Sequence, residues 1–80
     1  MNLTILSFGI AKEIIGQLEL SVQLPDTATV ADLKQFLSAE FTDFQKLASL
    51  RVAVNTEYAD DSARLHPNDE IVLIPPVSGG

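Results

Sequence analysis

The pattern of apolar and polar positions predicts four strands, over residues 3–8, 17–24, 51–55 and 71–74. The second is the clearest, because its even positions are apolar and its odd positions are polar. This period of two places one face, with Leu18, Leu20, Val22 and Leu24, in the core and the other in water. Ile71–Ile74 is apolar throughout, which is typical of a strand in the middle of a sheet.

The first strand differs because both of its faces are apolar. Leu3 and Ile5 alternate with Leu6 and Phe8. A strand of this kind is either covered on both sides or carries an exposed binding patch. We therefore predict that Leu6, Phe8 and one face of the last strand, including Ile74, form a surface that binds another protein.

A main helix is predicted to begin at Thr29. Its hydroxyl can cap the free amides, with Asp32 three positions later as a weaker form of the usual capping-box partner. Val30, Leu33 and Leu37 then follow at helical spacing. This apolar stripe is expected to lie on the sheet.

Two shorter helical segments are also predicted. Residues 11–15 fit one or two turns, and Gly16 is suited to end them. Residues 43–50 show a second short pattern. We expect Phe36, Phe41 and Phe44, which recur at near-helical spacing, to belong to the core.

The order of these elements is strand, short helix, strand, long helix, strand, strand. It favours an α+β fold of the β-grasp (ubiquitin-like) type, with a mixed sheet packed against one main helix. We place this domain at residues 1–74. Residues 75–80 are predicted to form a flexible, extended C-terminal tail.

The tail reads Pro75, Pro76, Val77, Ser78, Gly79 and Gly80. Prolines have no amide donor and favour a stiff, extended exit from a sheet. Glycines have no side chain and fit channels that exclude other residues. Fully extended, six residues span roughly 20 Å. The tail is thus suited to carry a terminal carboxylate into another protein. The alternative is a frayed chain end, but such an end is not expected to follow a buried strand directly through two prolines.

Composition narrows the classes of function. A net charge of −6 and a pI near 4.3 argue against nucleic acid as a partner. The acidic surface either favours a protein partner with a basic surface or serves only to keep a small domain soluble. The chain has no cysteine, which excludes disulfides, thiol catalysis and zinc–thiolate sites. The first residues do not resemble a signal peptide, and no apolar run approaches the ~20 residues of a membrane span. We therefore expect a cytoplasmic protein without a membrane partner.

The remaining polar residues give no sign of a catalytic or metal site. His66 is the single histidine and stands beside Pro67 in a predicted turn. The paired acids Asp60–Asp61 and Asp69–Glu70 also fall in predicted turns, where such residues are common. We predict no bound metal and no permanently bound cofactor.

Several segments, taken together, resemble the small subunits of molybdopterin synthase. They are Phe8–Gly16, Leu24–Pro25, Thr29–Leu33, Ala53–Asn55, Asn68–Glu70 and Pro75–Gly80. Each is weak alone, but their order and spacing extend over nearly the whole chain. The resemblance implies that the last strand pairs in parallel with the first. Lys12 stands where many relatives carry arginine, and we predict that it contacts a partner through its charge, with a solvated helix face as the alternative.

The same resemblance implies a two-stage role as a sulfur carrier. An adenylyltransferase similar to ubiquitin-activating enzymes would use ATP to adenylate the carboxylate of Gly80. Sulfur from a donor enzyme would then convert it to a thiocarboxylate. The loaded tail would enter the large subunit of the synthase, in a heterotetramer of two small and two large subunits. There it would donate sulfur to cyclic pyranopterin phosphate. The carrier would not be an enzyme on its own.

The chain departs from the pattern of those relatives at Lys12, at Ser7 and over residues 58–61, and three competing functions stay open. Ser7 stands where a larger apolar residue is usual, and residues 58–61 match poorly. A sulfur carrier of thiamine thiazole synthesis would share the tail chemistry, but such proteins tend to lack the helix over 11–16. A ubiquitin-like modifier is the second competing function, and an interaction module with incidental glycines is the third.

Overall fold

The computed structural model describes residues 1–47 and 49–76. Its elements follow one another as β1 (Asn2–Ser7), α1 (Gly9–Ile15), β2 (Glu19–Gln23), α2 (Val30–Glu40), a 3₁₀ segment (Thr42–Lys46), β3 (Arg51–Val54), β4 (Glu57–Tyr58) and β5 (Ile71–Ile74). The four strands predicted from the sequence are confirmed. The short strand β4 was not predicted.

The strands form one mixed sheet in the order β2-β1-β5-β3-β4. The last strand, β5, lies in the centre, parallel to β1 and antiparallel to β3. The central position expected from its apolar sequence is confirmed, and so is the parallel pairing that the resemblance implied. Because β1 and β5 run in the same direction, the chain leaves both strands at the same edge of the sheet.

Helix α2 covers one face of this sheet, as its apolar stripe predicted. Val30, Leu33 and Leu37 are fully buried. The capping box is formed at the helix start: the Asp32 amide donates to the Thr29 hydroxyl at 3.3 Å, and the Thr29 amide donates to the Asp32 carboxylate at 2.9 Å. These reciprocal bonds satisfy two donors that the first turn leaves free.

Helix α1 begins at Gly9, two residues earlier than predicted, and packs through Ala11 and Ile15. Gly16 ends it in the left-handed conformation with φ of 87°, and its amide donates to the Lys12 carbonyl. A side chain is strained at such a φ, which explains a glycine at this position. Lys12 is exposed on this helix.

The expectation for Leu18 was wrong. The pattern placed it in the core, but the side chain is 45% exposed. Strand β2 starts only at Glu19, so the alternation does not extend to Leu18. The carbonyl of Leu18 instead accepts from the Ser7 amide at 2.9 Å and from the Ser7 hydroxyl at 3.3 Å. These bonds explain how a fully buried serine is tolerated in β1.

The predicted second short helix is a 3₁₀ segment, Thr42–Lys46, and does not continue to residue 50. It follows α2 through a break at Phe41, whose φ of −127° is not helical. Phe44 is buried and meets the Phe41 ring edge-on, with 6.2 Å between centroids. Phe36 and Phe41 are only partly buried, so the core prediction holds fully for Phe44 alone.

Strands β3 and β4 are joined by a two-residue turn. Asn55 and Thr56 both have positive φ, 53° and 71°. Two such residues match the right-handed twist of a hairpin. The Asn55 side chain donates to the Asp69 carboxylate at 2.9 Å and accepts from the Glu70 amide at 3.0 Å. This turn is thereby tied to the loop that leads into β5.

Candidate functional site

The face of the sheet opposite α2 carries an apolar row. Leu6 of β1 is the register partner of Val72 in β5, Val72 of Ala53 in β3, and Ala53 of Tyr58 in β4. Register partners in neighbouring strands point to the same side of a sheet. The four side chains therefore form a continuous row across four strands.

A second row of outer-face side chains lies two residues further along β5, nearer to the edge where the chain leaves this strand. Ile74 is the register partner of Arg51 on this outer face. Phe8 follows directly after Ser7, which pairs with Leu73, and its side chain is 50% exposed. Tyr58 is 65% exposed. Large apolar surfaces left in water in this way are typical of protein-binding sites.

The rest of the outer face is polar. Asn2 pairs with Gln23, and Thr4 pairs with Ser21, so the half of β1 and β2 far from the exit has polar side chains. The apolar surface is thus confined to the end at which the chain leaves the sheet. We call it the exit patch and define it as Leu6, Phe8, Ala53, Tyr58, Val72 and Ile74.

The chain leaves the sheet beside this patch. Pro75 directly follows the end of β5, and its ring lies near the start of α1. A methyl group on Gly9 would lie 3.9 Å from the Pro75 ring, which is ordinary van der Waals contact. Pro75 and Pro76 are both partly buried. The exit of the tail is therefore packed against the domain at its first two residues.

A cleft of about 230 Å³ runs along the exit, lined by Ser49, Arg51, Tyr58, Ile74, Pro75 and Pro76. Its charged member, Arg51, is stacked over the Tyr58 ring, with 5.0 Å from the guanidinium carbon to the ring centroid. Such stacking is attractive and restricts the arginine to a few positions. The exit patch thus has a positively charged border.

The structure brings together most of the partner-binding residues predicted from the sequence. Leu6 and Ile74 are partly buried on the outer face, Phe8 is exposed at its end, and Lys12 is exposed on α1. Tyr58 was missed because residues 58–61 were left unassigned, and Arg51 because it stood in a predicted strand with no sign of its aromatic neighbour. The turn-forming pair Asn55–Thr56, directly after Val54, was the available signal, since a two-residue turn returns the chain as an antiparallel strand. Pro75 and Pro76 lie at the exit, and Val77, Ser78, Gly79 and Gly80 lie outside the described residues.

Among the titratable residues, Asp69 has contacts that hold the loop before β5 in place. The Asp69 carboxylate accepts from the His66 amide at 2.8 Å and from Asn55. Burial alone would raise the pKa of Asp69, but these hydrogen bonds outweigh it, so this pKa lies below its ordinary value of 3.8.

Within residues 1–47 and 49–76, no three His, Asp or Glu side chains are placed to hold a metal ion. No helix in this part of the chain is long and apolar enough to span a membrane.

Three comparisons with known proteins agree with this architecture. A model of the ThiS family matches residues 5–80. A molybdopterin synthase sulfur carrier subunit from Dictyostelium discoideum is 38% identical, over 95% of this chain and 93% of that protein. Another, from Arabidopsis thaliana, is 33% identical over 100% of this chain and 84% of that protein. The crystal structure of SAMP1 from Haloferax volcanii has a TM-score of 0.84 at 25% identity, with both chains fully covered.

Proposed function

The chain belongs to the ThiS family, and we propose that it is the sulfur carrier subunit of molybdopterin synthase. The observation that carries the proposal is the whole-chain likeness to relatives of that name, at 33% and 38% identity. The structure supports it physically. The domain presents an apolar patch, and the chain that bears the terminal glycines leaves the sheet beside that patch.

The chemistry takes place at Gly80. A carboxylate is a poor electrophile until one oxygen becomes a good leaving group. The Gly80 carboxylate attacks the α-phosphorus of ATP in an activating enzyme, expels pyrophosphate and becomes an acyl-adenylate. A sulfur nucleophile at the oxidation level of sulfide, provided by a donor enzyme, then attacks the acyl carbon and displaces AMP. The product is a thiocarboxylate on Gly80.

The domain contributes recognition and placement. The exit patch docks on the large subunit, with Phe8, Leu6 and Ile74 as apolar anchors and Lys12 as a charged contact at its side. Pro75 and Pro76 direct the tail away from the sheet, and the four residues after them reach up to roughly 14 Å further. Val77, Ser78 and Gly79 thus carry the thiocarboxylate to cyclic pyranopterin phosphate, which accepts the sulfur. Water cleaves the acyl carbon–sulfur bond and returns the carboxylate of Gly80. The assembly is a heterotetramer of two small and two large subunits in the cytoplasm.

The decisive test is the length of the tail. Removing Gly80 leaves a carboxylate on Gly79 that is about 3.5 Å short of its former reach. An error of even 1 Å in a reacting geometry can reduce a rate on the order of a hundredfold. One residue added after Gly80 is expected to be as damaging. Neither change touches the sheet or α2, so the melting temperature should be unchanged.

The assay supplies each variant with ATP, the activating enzyme, a sulfur source and the large subunit. Intact mass reports the exchange of oxygen for sulfur, and product formation reports its transfer. A Lys46→Gln variant keeps the length and the sequence of the tail, since Lys46 lies in the 3₁₀ segment, and serves as the control. Normal product from the shortened or the extended chain would refute the sulfur-carrier function.

The same assay separates the neighbouring functions. A carrier of thiamine thiazole synthesis would gain the thiocarboxylate but would not sustain pyranopterin product with the large subunit. A ubiquitin-like modifier would form amide bonds between Gly80 and lysine side chains, which appear as larger conjugates. SAMP1, whose solved structure is 25% identical to this chain, is a small archaeal modifier protein by name. That name makes the test for conjugates worthwhile.

A further inference from the structure

Arg51 brings a positive charge to one border of the exit patch, whereas the exposed Glu19 of β2, the register partner of Leu6, lies at the opposite border. The chain has five lysine and arginine residues against eleven acidic ones. Arg51 is exposed, borders the cleft at the tail exit and stacks on Tyr58. In the described part of the chain it takes part in no ion pair, whereas Lys34 pairs with Asp61 at 2.7 Å and Lys46 with Asp43 at 3.1 Å.

The stacking leaves the hydrogen-bonding capacity of Arg51 available. A guanidinium contacts an aromatic ring through its flat face, while its N–H donors point outward in the plane. That fork matches the two oxygens of a carboxylate. Tyr58 therefore holds the group in place without using its donors, which lowers the entropy lost when a carboxylate binds.

We propose that Arg51 binds an aspartate or glutamate side chain of the partner, at the mouth of the channel that receives the tail. The inference rests on the proposed function, since the partner is then the large subunit. An acidic carrier favours a basic partner overall, but a basic side chain opposite Arg51 would be repelled. One acidic residue within an otherwise basic surface of the partner would pair with Arg51, while the rest of that surface attracts the acidic carrier. It would fix the orientation of docking, and with it the direction in which the tail enters.

Binding of the purified large subunit to the wild type and to Arg51→Gln tests the contact. Loss of a charge-assisted hydrogen-bonded pair is expected to raise Kd about tenfold or more. Arg51→Glu should raise it further, and Arg51→Lys should retain part of the affinity. Lys46→Gln is the matched control, because it removes the same charge from a side chain that is 80% exposed and lies in the 3₁₀ segment. It should bind like the wild type, and the wild type should lose affinity with salt more steeply than Arg51→Gln.

The partner's carboxylate can be identified directly. In the Arg51→Lys variant, a carbodiimide should couple the new amine at position 51 to an acidic residue of the large subunit, located by mass spectrometry. Coupling to Asp60, which lines a neighbouring cleft with Arg51, or to the Gly80 carboxylate of the same chain would overturn the proposal. Equal affinity of Arg51→Gln and the wild type would overturn it as well. If the wild type itself did not bind the large subunit, the proposed function would fail, and this inference with it.

Discussion

Truncation of Phe8 gives the most direct measure of the exit patch. The side chain is 50% exposed and belongs to neither the buried core nor the residues packed against it. A phenylalanine can bury about 200 Å², so roughly 100 Å² remains to be covered by a partner. At about 25 cal/mol per Å² this is about 2.5 kcal/mol. Because alanine keeps part of the contact, we expect Phe8→Ala to raise Kd for the large subunit between about tenfold and sixtyfold.

Phe36→Ala is the matched control for this measurement. Phe36 belongs to α2, on the other side of the sheet, and is partly buried against the core. Its truncation should lower the free energy of unfolding by about 1–3 kcal/mol, while the folded protein keeps its affinity. Phe8→Ala should show the reverse pattern, with a large loss of affinity and a small loss of stability. Urea unfolding gives the free energy of unfolding of each variant, and calorimetric titration gives its Kd for the large subunit.

Two outcomes would contradict the role of Phe8 as an anchor. If Phe8→Ala unfolds and its folded fraction binds normally, then Phe8 stabilises the domain and the docking surface lies elsewhere. If both phenylalanine variants lose affinity equally, the effect comes from stability and not from contact with the partner.

Two further predictions concern the loops that hold β4 and β5. Asp69→Asn should lower stability at pH 7 by about 1–2 kcal/mol. Since the pKa of Asp69 is lowered by folding, its contribution is present above its ordinary value of 3.8 and is lost as the pH falls further. The difference in the free energy of unfolding between wild type and variant, measured by urea unfolding, should therefore narrow as the pH falls below 3.8, and a constant difference would refute this origin. Thr56→Gly should raise stability by about 0.5–1 kcal/mol, because a β-branched residue is strained at a φ of 71°. A lower melting temperature would show that the Thr56 side chain outweighs this strain.

The parts of the fold that depend on local pattern were predictable. The capping residues Thr29 and Asp32 and the stop at Gly16 act through neighbours in the chain, so the sequence displays them directly. The central position of Ile71–Ile74 followed from its apolar composition. Leu18 was misplaced because alternation does not reveal at which residue a strand begins to pair. That is decided by contacts with β1, which are distant in sequence.

Only part of the candidate site could be predicted from the sequence, again because the rest depends on contacts between residues distant in the chain. Leu6 and Phe8 could be identified, because a strand that is apolar on both faces is unusual. The contribution of β4 depends on a strand of two residues, Glu57 and Tyr58, which is too short to show a period. Its neighbour Arg51 reads as an ordinary surface charge until Tyr58 is found beneath it. Neither could be assigned to the patch without the register of β3, β4 and β5.

The two faces of the sheet have different roles, and this explains how so small a domain can take part in demanding chemistry. The face under α2 holds the fully buried residues, such as Ile5 and Leu73, and stabilises the fold. The outer face is polar at the end far from the tail, and the apolar residues suited to contact a partner lie at the end beside the tail. The parallel pairing of β1 and β5 places Phe8, Ile74 and Pro75 at that same end. In the function proposed above, strand topology therefore couples docking of the exit patch to delivery of the tail. The partner that recognises the patch then receives the tail in a defined direction, and the catalytic groups are the partner's.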